Sequence, residues 1–111
     1  MRVRILYLIC ILANCTPSVA QEAKLRFSHL TTGDGLSQED VHVILQDTLG
    51  FMWFGTEDGL NRYDGTSFRA FRPLAFDTTS LSHSWVVGLA EFDRATLLVA
   101  THGGGLNRYD A

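Results

Sequence analysis

The hexapeptide "GLNRYD" stands at residues 59–64 and again at residues 105–110. It is the brightest part of a longer register. Leu36, Ser37, Val41, Ile44 and Thr56 recur as Leu81, Ser82, Val86, Leu89 and Thr101 at a constant offset of 45, and one extra glycine in "HGGGLNRYD" moves the offset to 46. A shared frame over about thirty positions, matched at apolar and turn sites, is the signature of a repeat architecture, and its period selects among such architectures.

Each unit holds short β-rich runs separated by Gly and Asp, and none carries a 3.6-residue apolar pattern long enough for a helix. "VHVILQD" alternates, with Val41, Val43 and Leu45 on one face; "FMWFGT" is a short aromatic run; "LNRYD" and "SFRAFR" alternate again. Four strands in such a unit make one blade of a β-propeller. The expected fold is therefore all-β: about one and three-quarter four-stranded antiparallel blades, an incomplete part of a larger propeller. A small sandwich or barrel explains the strand density but not the strict period. The expected organisation is a signal peptide at 1–20, a lead-in with a first strand at 21–35, one repeat at 36–80 and a second, truncated one at 81–111. Fourth-strand residues follow the first hexapeptide but not the second, so the chain is expected to end within a blade. Assembly of several copies into a ring is the other way to cover the blade faces.

The first twenty residues have a basic start (Arg2, Arg4), an apolar run from Ile5 to Ala13, and small residues ending in "SVA" before Gln21. That is the layout of a cleaved secretory signal, and the apolar run is too short for a bilayer of about 30 Å. "LANC" around Cys15 is a weaker match to a lipoprotein signal. Cys10 and Cys15 both lie in this leader, so a chain starting near Gln21 has no thiol for a disulfide, a thiolate metal site or a nucleophile. Without Arg2 and Arg4 the nine basic residues fall to 7 against 12 acidic ones. That balance argues against a nucleic-acid partner.

The turns have their own chemistry. "YDGT" sets Asp64-Gly65 between two alternating runs, the pair favoured by a two-residue turn with positive φ at both centres. In "QDTLG", Asp47 can bond its own backbone and Gly50 restarts the chain. Both acids read as turn formers.

The set Val41, Ile44, Asp47, Gly50, Trp53, Gly55, Thr56, Gly59, Leu60, Tyr63 and Asp64 resembles the two-component regulator propeller repeat, whose units read "V..I..D..G..W.GT..GL.RYD". Gly105, Leu106, Tyr109 and Asp110 repeat its end, while Leu98 and Ala100 stand where Trp53 and Gly55 stand. "FSHLTTGDGLSQEDV" (27–41) resembles the opening of a first blade. The resemblance implies the periplasmic sensor of a bacterial signalling protein. Its other expected parts are further blades and an inner-membrane span leading to a histidine kinase or diguanylate cyclase, with homodimers of the full-length sensor; many such kinases sense carbohydrate fragments. No output motif is present, and "HGGG" (102–105) has no G-x-S-x-G elbow beside it, so the chain is expected not to be an enzyme and to need no cofactor.

In an antiparallel meander, the segments 31–40, 57–58, 73–85 and 102–104 share one rim. Ligands of propellers meet the longer loops, where an aromatic can stack on a sugar and carboxylates can accept its hydroxyls. Glu57, Asp58, His83, Trp85 and His102 are the candidate binding residues for an oligosaccharide or other small ligand. Trp53 reads instead as core between blades, and Arg62 and Arg108 as cover for aromatic surface or bridges between blades. The four histidines lack metal-site spacing. An exported structural or protein-interaction propeller without a small ligand is the alternative function, and a propeller hydrolase survives only if other blades supply its catalytic groups.

Overall fold

The structure, a computed structural model, describes residues 24–111, so the signal-peptide reading and both cysteines lie outside the described residues. Seven strands follow in chain order: β1 (Val41–Gln46), β2 (Met52–Thr56), β3 (Gly59–Tyr63), β4 (Phe68–Phe71), β5 (Val86–Asp93), β6 (Thr96–Thr101) and β7 (Gly105–Asp110). They form two antiparallel meanders, β1-β2-β3-β4 and β5-β6-β7. The strand expected within 21–35 does not form among residues 24–35. A single 3-10 turn, Thr32–Asp34, stands there, because Thr31 and Asp34 close a capping box around it.

The offset change lies in one loop. Thr56 pairs with Gly59 across a two-residue connection, whereas Thr101 pairs with Gly105 across His102–Gly104, so the extra glycine lengthens the β6–β7 loop and leaves both strands in register. Each threonine closes its own loop. Thr56 Oγ1 donates to the Gly59 carbonyl (3.0 Å) and accepts from Asp58 N (3.0 Å), and Thr101 Oγ1 repeats both bonds with Gly105 and Gly104.

The repeated asparagine has an equally local cause. Asn61 Oδ1 accepts from Ser37 N (3.0 Å) and its Nδ2 donates to Ser37 Oγ (2.7 Å); Asn107 does the same with Ser82. The "LS" and "LN" of each unit are thus two halves of one clasp, tying the segment before the blade to its third strand. Asn61 is fully buried, so Asn61→Ala is expected to destabilise the fold by about 1 to 3 kcal/mol through an unsatisfied Ser37 amide. The more exposed Asn107→Ala should cost less, and urea melts of the two variants compare them directly.

The core lies between the sheets. Trp53, Leu60, Val86, Leu97 and Val99 are buried together, with Val43, Phe71, Leu89 and Tyr109 packed on them. Trp53 donates from Nε1 to Asp47 Oδ2 (2.8 Å), meets Tyr109 edge-on at 5.2 Å, and lies under Arg62, which also donates to the Tyr109 hydroxyl (3.5 Å). Thus Arg62 both covers the indole and bridges the blades; Arg108 stays in its own sheet, over Phe92 and beside Asp110. On the tight-turn rim, Glu91 accepts from Thr48 Oγ1 (2.6 Å) and ties the sheets again.

Gly55 makes the close approach possible. A Cβ there would sit 2.5 Å from Val43 Cγ1 and 2.6 Å from Val86 Cγ1. In the second sheet the same cross-strand pair is Gly88 with Ala100, so the glycine has changed strands and the pair is smaller by two carbons.

The Asp64 turn departs from expectation. Only Gly65 has positive φ (+102°); Asp64 Oδ1 instead accepts from Thr66 N and Ser67 N, each at 2.9 Å, across a four-residue connection from Tyr63 to Phe68. These donors, the Ser67 amide first, hold the Asp64 pKa down at about 2. A carboxyl with a folded pKa below its unfolded value adds stability that is full above the ordinary carboxylate range and is lost as pH falls toward 2.

Candidate functional site

Trp85 directly precedes β5 and His102 directly follows β6. Since Val86 pairs with Thr101, the two side chains face each other one step beyond the ladder. His102 N donates to the Trp85 carbonyl (2.9 Å), and the rings stack with centroids 4.3 Å apart and planes 27° apart. Asp40 and Glu57 hold the corresponding places in the first unit. Glu57 points its Oε1 to His42 Nε2 at 3.5 Å, and His42 reaches across to Trp85, 6.1 Å between ring centroids. The blades are joined just here by Gly59 N donating to the Ser84 carbonyl (2.6 Å).

The result is a row, Glu57 to His42 to Trp85 to His102, running across the boundary between blades. A carboxylate at one end and a stack of flat rings at the other can accept hydroxyl protons and cover an apolar ring face. Trp85 Nε1 is buried and has no hydrogen-bond partner among the described residues, a donor whose unmet bond carries a cost.

The remaining candidates have other attachments. His83 Nδ1 accepts from Trp85 N (3.1 Å), so it supports the indole through the backbone and must keep that nitrogen unprotonated to do so. Asp58 is turned to Arg72 in a two-point contact, Nε to Oδ1 and Nη2 to Oδ2, both at 3.2 Å. Gly104 lets the loop close on His83, whose Cβ would lie 2.6 Å from a Cβ at 104.

Sequence reasoning left out His42, Arg72 and Asn61. Val41 and Val43 mark β1 as half-buried, which puts His42 on its outer face. Nothing in the spacing shows that this face looks along the rim at Trp85 of the next blade. Among the described residues no three His, Cys, Asp or Glu side chains converge as a metal site.

A family model described as two component regulator propeller matches residues 35–58, the span from the Ser37 clasp through β1 and β2 to Asp58. The chain is 46% identical over 63 residues to a protein named histidine kinase P4 from Formosa agariphila, a match spanning 57% of this chain and 5% of the kinase. It is also similar, at 32% identity and a TM-score of 0.70, to the crystal structure of the extracellular domain of a putative hybrid two-component system from B. thetaiotaomicron, over 75% of this chain and 12% of that one. The chain therefore spans a small part of the length of the proteins it matches. Residues 35–58 thus match a two-component regulator propeller repeat, and the two sheets fold as successive antiparallel β-propeller blades.

Proposed function

We propose that this chain is part of the exported, periplasmic sensory propeller of a two-component signalling protein anchored in the inner membrane, and that it binds a carbohydrate or similar polyhydroxylated ligand at the row from Glu57 to His102. The observation that carries the site is the stacked Trp85–His102 pair on the loop-rich rim, with the Glu57 carboxylate reached through His42. A sugar ring has one flat apolar face and a hydroxyl edge. In the bound state that face lies on the indole in place of the exposed His102 ring, and the hydroxyls meet Glu57 and the imidazoles. A hydroxyl oxygen that reaches Trp85 Nε1 completes a donor that has no partner among the described residues. The energy of binding then acts on the boundary between blades, because the row takes residues from both; the output is a kinase or cyclase elsewhere in the full-length protein.

Trp85→Ala is expected to weaken the binding of a responsive oligosaccharide at least tenfold in calorimetric titration of an oligosaccharide panel, with the far-UV circular dichroism of the blades retained. Unchanged affinity in a folded variant removes Trp85 from the site. If no member of the panel binds the unaltered protein, the exported propeller is an interaction module and the carbohydrate reading fails.

A further inference from the structure

Three of the four histidines in the chain converge on one side chain, Trp85, and they come from three separate elements. His42 on β1 tilts toward the indole with 6.1 Å between ring centroids. His83, in the connection from β4 to β5, takes the Trp85 amide at Nδ1 (3.1 Å), and His102, directly after β6, stacks on the indole at 4.3 Å. All of these contacts lie within residues 42–102. Histidine is the side chain that ordinarily changes charge between pH 5 and 8, so such a cluster converts a change in proton concentration into charge at one place.

A second proton acts in the same direction at each ring. In neutral His83 the Nδ1 atom offers a lone pair; the imidazolium carries protons on both nitrogens, so the Trp85 amide loses its acceptor. His42 Nε2 and Glu57 Oε1 stand 3.5 Å apart, long for a hydrogen bond; a charged ring draws the carboxylate in and engages the oxygens that a sugar hydroxyl would need. His102 lies 27° from parallel to the indole, and an imidazolium there gains the attraction of a cation over a π face. The other charged groups around the row are Asp40, Asp58 and Arg72. Asp58 and Arg72 are matched to each other in two contacts of 3.2 Å, and Asp40 stands opposite Glu57 one step beyond the ladder, a second negative charge on the side of His42. β5 and β6 bring no charged side chain to this end.

We propose that the row is gated by protons: neutral imidazoles leave the indole face and the Glu57 carboxylate open to a ligand, and imidazoliums close both. The gate rests on the reading of this row as a carbohydrate site and supplies its regulation. A sugar has to lift the His102 ring from the indole and take the Glu57 oxygens from His42, so binding expels the protons that hold those contacts. A ligand that expels protons binds more weakly as their concentration rises, and one expelled proton changes affinity by up to about tenfold per pH unit. Affinity is therefore full at the alkaline end of the histidine range and falls as pH drops through it.

The gate can be read on the full chain with and without a ligand. In the free chain, two-dimensional NMR should show the Trp85 backbone amide moving between pH 8 and pH 5.5, a window above the ordinary carboxylate range, with the far-UV circular dichroism retained. His83→Asn, whose side-chain oxygen can take the same amide at either pH, should reduce that movement. An amide that does not respond to pH in the unaltered chain overturns the proposal. An oligosaccharide that binds at pH 8 is expected to bind about tenfold more weakly at pH 5.5 in calorimetric titration. His102→Phe, which keeps a flat ring without the charge, and His42→Gln should each flatten that dependence, an effect that a merely structural role would not produce. Equal affinity at both pH values overturns the gate and leaves the carbohydrate reading standing. Failure of every sugar to bind at either pH overturns the carbohydrate reading itself, and the gate with it.

Discussion

A Trp53→Ala chain is expected to lose about 3 to 5 kcal/mol of folding free energy, the range for removing a buried aromatic and leaving its space behind. For a small domain that is a large share of the total. The loss has two parts. The indole stands between the sheets, edge-on to Tyr109 and stacked at 6.0 Å on Phe71, so its removal empties the contact that joins the blades. It also takes the Nε1 donor from Asp47, whose other carboxylate oxygen receives Phe51 N (2.9 Å) and so shapes the β1–β2 turn. Trp53→Phe separates the two: it keeps most of the packing and forfeits the hydrogen bond, an expected loss of about 1 kcal/mol. Urea titration followed by far-UV circular dichroism reads both variants. A loss below about 1 kcal/mol for Trp53→Ala would mean that the blades do not depend on this contact.

Gly59→Ala is expected to be nearly as damaging, at about 3 kcal/mol or more, from two independent penalties. Gly59 has φ +104°, a conformation that L side chains rarely adopt, and a Cβ there would run into the Phe71 carbonyl and approach Arg72 Cγ to 3.2 Å. The equivalent Gly105 has φ +77° with open space around it. Gly105→Ala therefore meets the φ penalty alone, and its cost should be about 1 to 2 kcal/mol. The difference between the two glycines measures the clash against β4, the strand that pairs with β3 in the first sheet and has no counterpart beside β7 among the described residues. Equal losses would show that backbone conformation accounts for the whole effect.

Much of the candidate site was readable from residue order, with limits of a physical kind. Trp85, His102 and Glu57 were recognisable because an antiparallel meander returns alternate loops to the same rim, so periodicity alone assigns loops to rims. The pairing of Asp58 with Arg72 was not readable, since the arginine sits fourteen residues away at the end of β4 and its reach depends on side-chain rotamers. His42 escaped for a related reason: an outward residue on an alternating strand looks solvated until the next blade is in place. Asp64 shows the same limit at short range. Asp-Gly favours a tight hairpin, but the carboxylate outcompeted that turn by collecting the amides of Thr66 and Ser67.

Order alone determined the strands of the two repeats, their antiparallel sequence and the inward role of Trp53, because alternation with period two and a repeat of fixed length are local properties of the chain. It also located the added glycine that lengthens the β6–β7 loop. Tertiary structure decided what happens between units. Whether Gly55 faces a valine or open space and which rings gather on Trp85 both depend on the distance and angle between two sheets. That geometry is set by side-chain volumes summed over both faces of the contact, and no single stretch of sequence contains that sum.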